Sequence, residues 1–235
     1  MKTSLRAPVV LAALLLTGCA FNVEPTGPEQ HETQSVDLDK SEMVRVQIKM
    51  GAGELQVDGG ADKLMDADFN YNIASWKPVV KYTSSGFRGN LSIEQPSHSH
   101  AGGNIDYRWN IRLNDKVPMD VEADLGAGQV RMNLGSLDLR SVRMHMGVGE
   151  VRVDLRGKPT RDYTVEIHGG VGQATVYLPR DVGIVANAAG GIGNISVRGL
   201  EKRSNHWINP AHENAPVTIH LDIHGGVGEI NVIAE

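Results

Sequence analysis

The chain has 235 residues, of which 40% are hydrophobic, 5% aromatic and 22% charged, enough for one large domain or two small ones and unlike a disordered or collagen-like sequence. Twenty-seven glycines against eleven aromatic residues and one cysteine predict many tight backbone corners around an aliphatic core, with no intrachain disulfide. A formal charge of −5 and a mean hydropathy of −0.24 argue against a nucleic-acid partner and exclude a polytopic membrane protein.

At the amino terminus, Lys2 and Arg6 precede an apolar run from Val9 to Leu16 that is too short to span a bilayer. Thr17-Gly18-Cys19 follows, completing the tripartite shape of a secretory signal over residues 1–18. Leu16-Thr17-Gly18-Cys19 resembles the lipobox of bacterial lipoproteins, in which small residues precede the cysteine that is acylated. The resemblance implies that Cys19 becomes the first mature residue. It would carry a diacylglycerol thioether and an N-linked acyl chain such as palmitate, and about two or three chains exceed the threshold for stable anchorage. Ala20, where an Asp could stand, implies by the same resemblance the outer membrane of a Gram-negative envelope, with the protein facing the periplasm. Removal of the signal leaves 21 basic against 28 acidic side chains, so a polyanion partner is disfavoured further. Residues 19–40, rich in Glu, Gln, Thr, Pro and Asp, read as a lipidated, solvated tether with little to bury.

Residues 41–235 are organised by a short repeat. Gly51-Ala52-Gly53, Gly126-Ala127-Gly128, Gly147-Val148-Gly149, Gly170-Val171-Gly172, Gly191-Ile192-Gly193 and Gly226-Val227-Gly228 are each followed by an alternating segment. Their first glycines are 75, 21, 23, 21 and 35 residues apart, so the central copies have a solenoid-like period near 21. Gly86-Phe87-Arg88-Gly89 is a candidate degenerate copy. Five residues before the first glycine stand Val46, Val121, Val142, Val165, Ala186 and Leu221; three before stand Ile48, Ala123, Met144, Ile167, Ala188 and Ile223. Beyond the second glycine, Leu55, Val130, Val151, Ala174, Ile195 and Ile230 occupy one column, and Val57, Met132, Val153, Val176, Val197 and Val232 the next. A period of two means strand, and these columns should point inward. No long helix-periodic segment follows the signal.

The expected fold is therefore all-β: a right-handed single-stranded parallel β-solenoid with coils of about 21 residues, in which equivalent positions stack roughly 4.8 Å apart. A β-sandwich whose hairpins close at the glycine corners is the alternative. Gly51-Ala52-Gly53-Glu54-Leu55, Leu125-Gly126-Ala127-Gly128 and Met146-Gly147-Val148-Gly149 resemble the toast-rack or adhesin-like (DUF4097- and LiaF-like) β-solenoid domains of bacterial envelope proteins. The resemblance spans about residues 41–235. It implies a parallel solenoid with an interaction or sensing role, related to domains attached to envelope stress regulators, and no catalytic residues to carry over. Unlike the regulator-linked members, this chain has no sequence segment that reads as a transmembrane helix.

Several chemistries fail on spacing. Arg131, Arg152 and Thr175 stand where a nucleotide-binding loop needs a third glycine. Ala174 and Ile230 stand where a calcium-binding nonapeptide repeat needs Asp. No hydrolase elbow or metalloprotease motif occurs, so an enzyme is not expected. Two columns on the outer face could carry chemistry. Lys49, Asp124, His145, His168, Ala189 and His224 form one, a candidate metal ladder that reads more simply as a solvated polar ladder; His220 alternates with Asp222 and His224. Glu122, Arg143, Glu166 and Asn187 form the other, alternating in charge along successive rungs. The irregular stretches Glu94–Asn104, with Pro96, His98 and His100, and Gly199–Pro216, with His206, Trp207, Pro210 and His212, are candidate loops. Trp76, Trp109, Trp207 and His206 are candidate ligand-binding residues, although each Trp could instead plug the solenoid where the repeat breaks.

The sequence thus reads as a non-catalytic, lipid-anchored envelope protein, an adhesin-like or structural interaction module with a link to envelope stress sensing. It implies no cofactor and no resident metal. The expected partners are the membrane through Cys19, an envelope protein or glycan, and another copy joined end to end at the carboxy-terminal strand. A carbohydrate-active enzyme on a parallel β-helix and a periplasmic metal-binding protein are the alternatives.

Overall fold

The computed structural model describes residues 23–96 and 100–235. Its strands are β1 (Val23–Pro25), β2 (Gln30–Val36), β3 (Met43–Asp58), β4 (Met65–Tyr71), β5 (Val79–Ser85), β6 (Arg88–Glu94), β7 (His100–Gly102), β8 (Tyr107–Leu113), β9 (Met119–Asn133), β10 (Leu139–Asp154), β11 (Tyr163–Leu178), β12 (Gly183–Arg198), β13 (Glu201–Arg203), β14 (His206–Ile208) and β15 (Thr218–Ala234). Two short 3-10 turns, Ala74–Trp76 and Pro210–Glu213, are the only helical elements among the described residues.

The six Gly-x-Gly copies lie at the middle of β3, β9, β10, β11, β12 and β15, each of which is one long strand creased at its glycines. The second glycine of every pair has φ between +136° and +144°. A Cβ on Gly149 would meet the carbonyl oxygen of Gly128 in the adjoining rung, and the same obstruction recurs from Gly53 to Gly193. The crease thus needs glycine twice over, for its backbone angles and for the close approach of neighbouring rungs.

Creasing folds each strand into a V, so the half before the glycines forms one sheet and the half after them forms the other. The predicted inward columns fill the space between. Val46, Ile48, Val57, Met144, Val153, Val165 and Val176 are all less than 1% exposed, and the remaining members of the four columns are buried except for Ala174 in β11 and three residues of β12, Ala188, Ile195 and Val197. Each such aliphatic side chain contributes about 1.5–3 kcal/mol by leaving water. The solenoid-like stacking is therefore the observed fold, and successive copies pair in parallel without glycine-closed hairpins.

Three features differ from the expected simple coil. First, the rungs run β3-β9-β10-β11-β15-β12, so the last strand is threaded between β11 and β12. The chain leaves one rung position empty, forms β12 at the end of the stack, caps it, and returns to fill the gap. The carboxy terminus is therefore interior to the sheet, and the exposed solenoid end belongs to β12. Second, the other end turns antiparallel beyond a split rung: β6 pairs in parallel with the first half of β3 and β8 in parallel with its second half, while β5, β4 and β2 extend these two sheets as antiparallel neighbours. The degenerate copy at Gly86–Gly89 supplies half a rung, with Leu91 and Ile93 continuing the columns of Val46 and Ile48. Third, Gln30–Val36 of the expected 19–40 tether forms an edge strand along β4. Its side chains are mostly solvent-facing, so composition resembled a tether while backbone hydrogen bonding decided the strand. The signal segment and Cys19 lie outside the described residues.

The cap on β12 is held by a buried amide. Asn209 donates to the carbonyls of Val182 (2.7 Å) and Arg180 (3.1 Å) and accepts from the Ile184 amide (2.9 Å). β14 then pairs with β12 only at Val185 and Ala186, covering the first half of the strand. Residues 190–198 keep β15 on one side and have no strand on the other among the described residues.

Candidate interaction surface

The outer surface of the V carries the features available for contact. At its apex the middle residue of each Gly-x-Gly points outward. Val148 pairs with Val171, Val171 with Val227, and Val227 with Ile192, giving a continuous apolar ridge. These four side chains are 52%, 50%, 45% and 73% exposed in that order along the stack. An apolar row of this kind, held on a rigid edge and flanked by polar columns, is a candidate contact surface. Sequence reading treated these residues only as the interior of a corner; the signal was that all six middle residues are Ala, Val or Ile.

Beneath the ridge lies a small apolar slot of about 80 Å³, lined by Met146, Val151, Ile167, Ala174, Ile195, Ile223 and Ile230 together with corner glycines. Its cause is legible in one column. The residue before the first glycine is Met50, Leu125 and Met146 in β3, β9 and β10, but Gly169, Gly190 and Gly225 in β11, β12 and β15. Three rungs thus omit the side chain that fills the corner in the others.

On one flank of the ridge runs the polar ladder Lys49, Asp124, His145, His168, His224 and Ala189. The threading of β15 places His224 directly beside His168, so three imidazoles stack contiguously. Their ring centroids are 5.1 and 5.2 Å apart with planes within 15° and 7° of parallel. Lys49, Gln95, Asp124, His145 and His168 border a shallow groove of about 680 Å³. Stacked parallel rings direct their nitrogens side by side, and among the described residues no group of three His, Cys, Asp or Glu converges as a metal site would require.

The second outer column reads Gln47, Glu122, Arg143, Glu166, Asp222 and Asn187, since β15 inserts Asp222 between Glu166 and Asn187. The expected alternation of charge is therefore interrupted by two adjacent carboxylates. Both are already engaged: Arg143 donates to Glu166 at 3.1 Å, and His224 Nε2 lies 3.0 Å from Asp222. Arg143 keeps its proton more firmly than an ordinary guanidinium, chiefly through that hydrogen bond to Glu166. These are exposed pairs on a flat face, each contributing about 0.2–1 kcal/mol to register.

The four sequence-predicted ligand residues separate. Trp76 and Trp109 do not present rings to solvent; Trp109 is fully buried and Trp76 nearly so. They form an edge-to-face chain with Tyr107 and Phe69 at centroid separations of 5.3–5.5 Å, and Tyr107 donates to the Trp76 carbonyl at 2.6 Å. Aromatic volume fills the end of the stack where the glycine crease is missing between β6 and β8. Trp109→Ala should therefore lower stability by about 3 kcal/mol in urea denaturation, whereas an unchanged midpoint would show that the ring is not a core element. Trp207 is half-buried against the β12 cap with Lys202 5.0 Å over its ring, and exposed His206 bonds Asn187 at 2.6 Å. Only this last pair remains accessible, and it lies on the cap, away from the two buried tryptophans.

Residues 25–177 match the family described as "N-terminal domain of toast_rack, DUF2154", and residues 126–232 match "Cell wall-active antibiotics response LiaF, C-terminal". The chain belongs to the toast-rack family. It is similar to the crystal structure of a "putative cell adhesion protein" from Clostridium sporogenes, at 32% identity and a TM-score of 0.86 over 88% of this chain and 100% of that one. A "putative adhesin" from Bacteroides fragilis is similar at 9% identity and a TM-score of 0.37, over 88% and 99% of the two chains. No curated protein matches the chain. No helix among the described residues is long and apolar enough to cross a membrane.

Proposed function

We propose that this protein is a non-catalytic interaction module of the bacterial cell envelope, anchored through lipid on Cys19 at the outer membrane and contributing to the response to envelope stress. The observation that carries the reading is the exposed apolar ridge Val148–Val171–Val227–Ile192 on a scaffold whose rungs are locked by glycine creases. A surface of this kind binds by shape without rearrangement, so little ordering free energy is spent on contact. The likeness to the "putative cell adhesion protein" and to the LiaF carboxy-terminal family supports the same class of role.

Val148 and Val227 are half exposed and separated by the Val171 rung, so Val148→Glu with Val227→Glu should leave the melting midpoint nearly unchanged while placing two carboxylates on the contact row. In cells lacking the native protein, wild type should restore growth under a cell-wall-active antibiotic and the double variant should not. Full restoration by the double variant would remove the ridge from the function. The anchor is tested separately. Cys19→Ala should move the protein out of the membrane fraction and abolish incorporation of labelled palmitate; a variant that stays membrane-bound and labelled would refute lipidation at Cys19.

A further inference from the structure

We propose that the uncovered half of β12 is a self-association site, where a second copy of this chain adds its own β12 as an antiparallel neighbour across a two-fold axis. Three observations coincide there. Among the described residues, 190–198 have an open edge on the side away from β15, because the β14 cap reaches only Val185 and Ala186. The inner column is uncovered at the same place, with Ile195 38% exposed and Val197 half-buried although, Ala174 apart, their equivalents in the inner rungs are almost fully buried. The apolar slot also reaches this end, with Ile192 and Ile195 in its lining.

The occupant follows from the chemistry of the edge. Protected edges carry charges, proline or bulges; the segment Gly190 to Val197 has none, and its only charge is Arg198 at the tip. The crease at Gly193 limits straight pairing to residues 194–198. An antiparallel copy centred on Ser196 sets Ile195 opposite Val197 on the inner face twice over. On the outer face it sets each Arg198 opposite an Asn194 amide, so no like charges meet. Directly opposed residues share a face, so this register keeps apolar with apolar and polar with polar. The far end of the stack is a poor alternative partner for β12: the β2 edge is solvent-facing on most of its side chains, and β5 carries Lys81. A closed two-fold pair is therefore favoured over a head-to-tail filament. A five-residue strand pair is small beside a standard interface of about 1,200–2,000 Å², so the association should be weak and promoted by confinement. It goes beyond the proposed ridge function, since the ridge remains outward in the pair.

Ser196→Cys places a thiol on the two-fold axis, where opposed Cβ atoms lie about 4.5–5.5 Å apart. The full chain carrying it should be treated in intact cells with a mild oxidant or a short bis-maleimide. Wild type, whose only cysteine is Cys19, and Ser84→Cys on the exposed β5 edge are the controls. Ser196→Cys should yield at least about tenfold more covalent homodimer than either, and adding Ile195→Lys should suppress that yield by a similar factor with the melting midpoint retained. Equal yields from Ser196→Cys and Ser84→Cys would overturn the proposal. So would a principal product joining Ser196→Cys to a different protein, or an undiminished homodimer in the Ile195→Lys background.

Discussion

Gly149→Ala should cost the fold at least about 4 kcal/mol, the range reserved for substitutions that break a specific structural feature. Gly149 has φ of +142°, and its added Cβ would strike the carbonyl oxygen of Gly128, which is itself fixed in the ladder between β9 and β10. The strand cannot slide to relieve the contact, because Gly172 stands in the same relation to Gly149, and Gly128 to Gly53. Relief requires parting two rungs along a crease that every rung shares. Gly60→Ala is the matched control: φ is +87° there, and nothing lies within 4 Å of an added Cβ. It should cost only about 1–2 kcal/mol, the local penalty of a left-handed backbone. Urea denaturation of the two variants measures the difference, and equal midpoints would mean that rung spacing at the corner is not what demands glycine.

Removal of Val217–Glu235 should release β12 and its cap while leaving β3, β9 and β10 folded. β15 is the partner of β12 along its whole length and of β11 on one side. It also supplies Leu221, Ile223, Ile230 and Val232 to the core, each 5% exposed or less. At about 1.5–3 kcal/mol per side chain, their loss rivals the roughly 5–15 kcal/mol stability of a whole domain. The truncated chain does have a second option. β12 could close onto β11 in sequence order, with Ala186 beside Val165 and the Gly191 crease beside Gly170, because its columns match those of β15. Hydrogen exchange separates the outcomes. Amides of residues 183–198 should exchange freely while those of β9 and β10 stay protected; retained protection in β12 would show that the gap closes and that the threaded strand is dispensable to the fold.

That ambiguity shows why the columns were readable and their order was not. Val46, Val121, Val142 and Val165 could be aligned from sequence because each rung repeats one local rule, apolar at alternate positions about a glycine pair. The rule is the same for every rung, so it holds no information about which rung adjoins which. Only the 35-residue interval before Gly226 hinted at the detour, and its length was equally consistent with a loop insertion. The histidine stack followed the same logic: His145 and His168 were foreseeable as neighbours, whereas His224 joined them only through the threading. Trp76 and Trp109 were ambiguous for a different reason, since an aromatic outside a repeat can fill a missing corner or face a ligand, and burial alone decides. Gln30–Val36 hid in a polar composition because an edge strand is held by its backbone, which composition does not record.

By itself, the sequence determined that this protein is built of creased strands with an aliphatic interior, that its corners must be glycine, and which side chains point inward. Those properties are local, dictated by side-chain period and backbone sterics within about 15 residues of the chain. The tertiary structure alone decided the order of the rungs, the interior place of β15, the contiguous ridge and the open edge of β12. Each depends on which interchangeable rungs come to lie side by side, and that is settled by long-range packing and by where the cap leaves backbone unpaired.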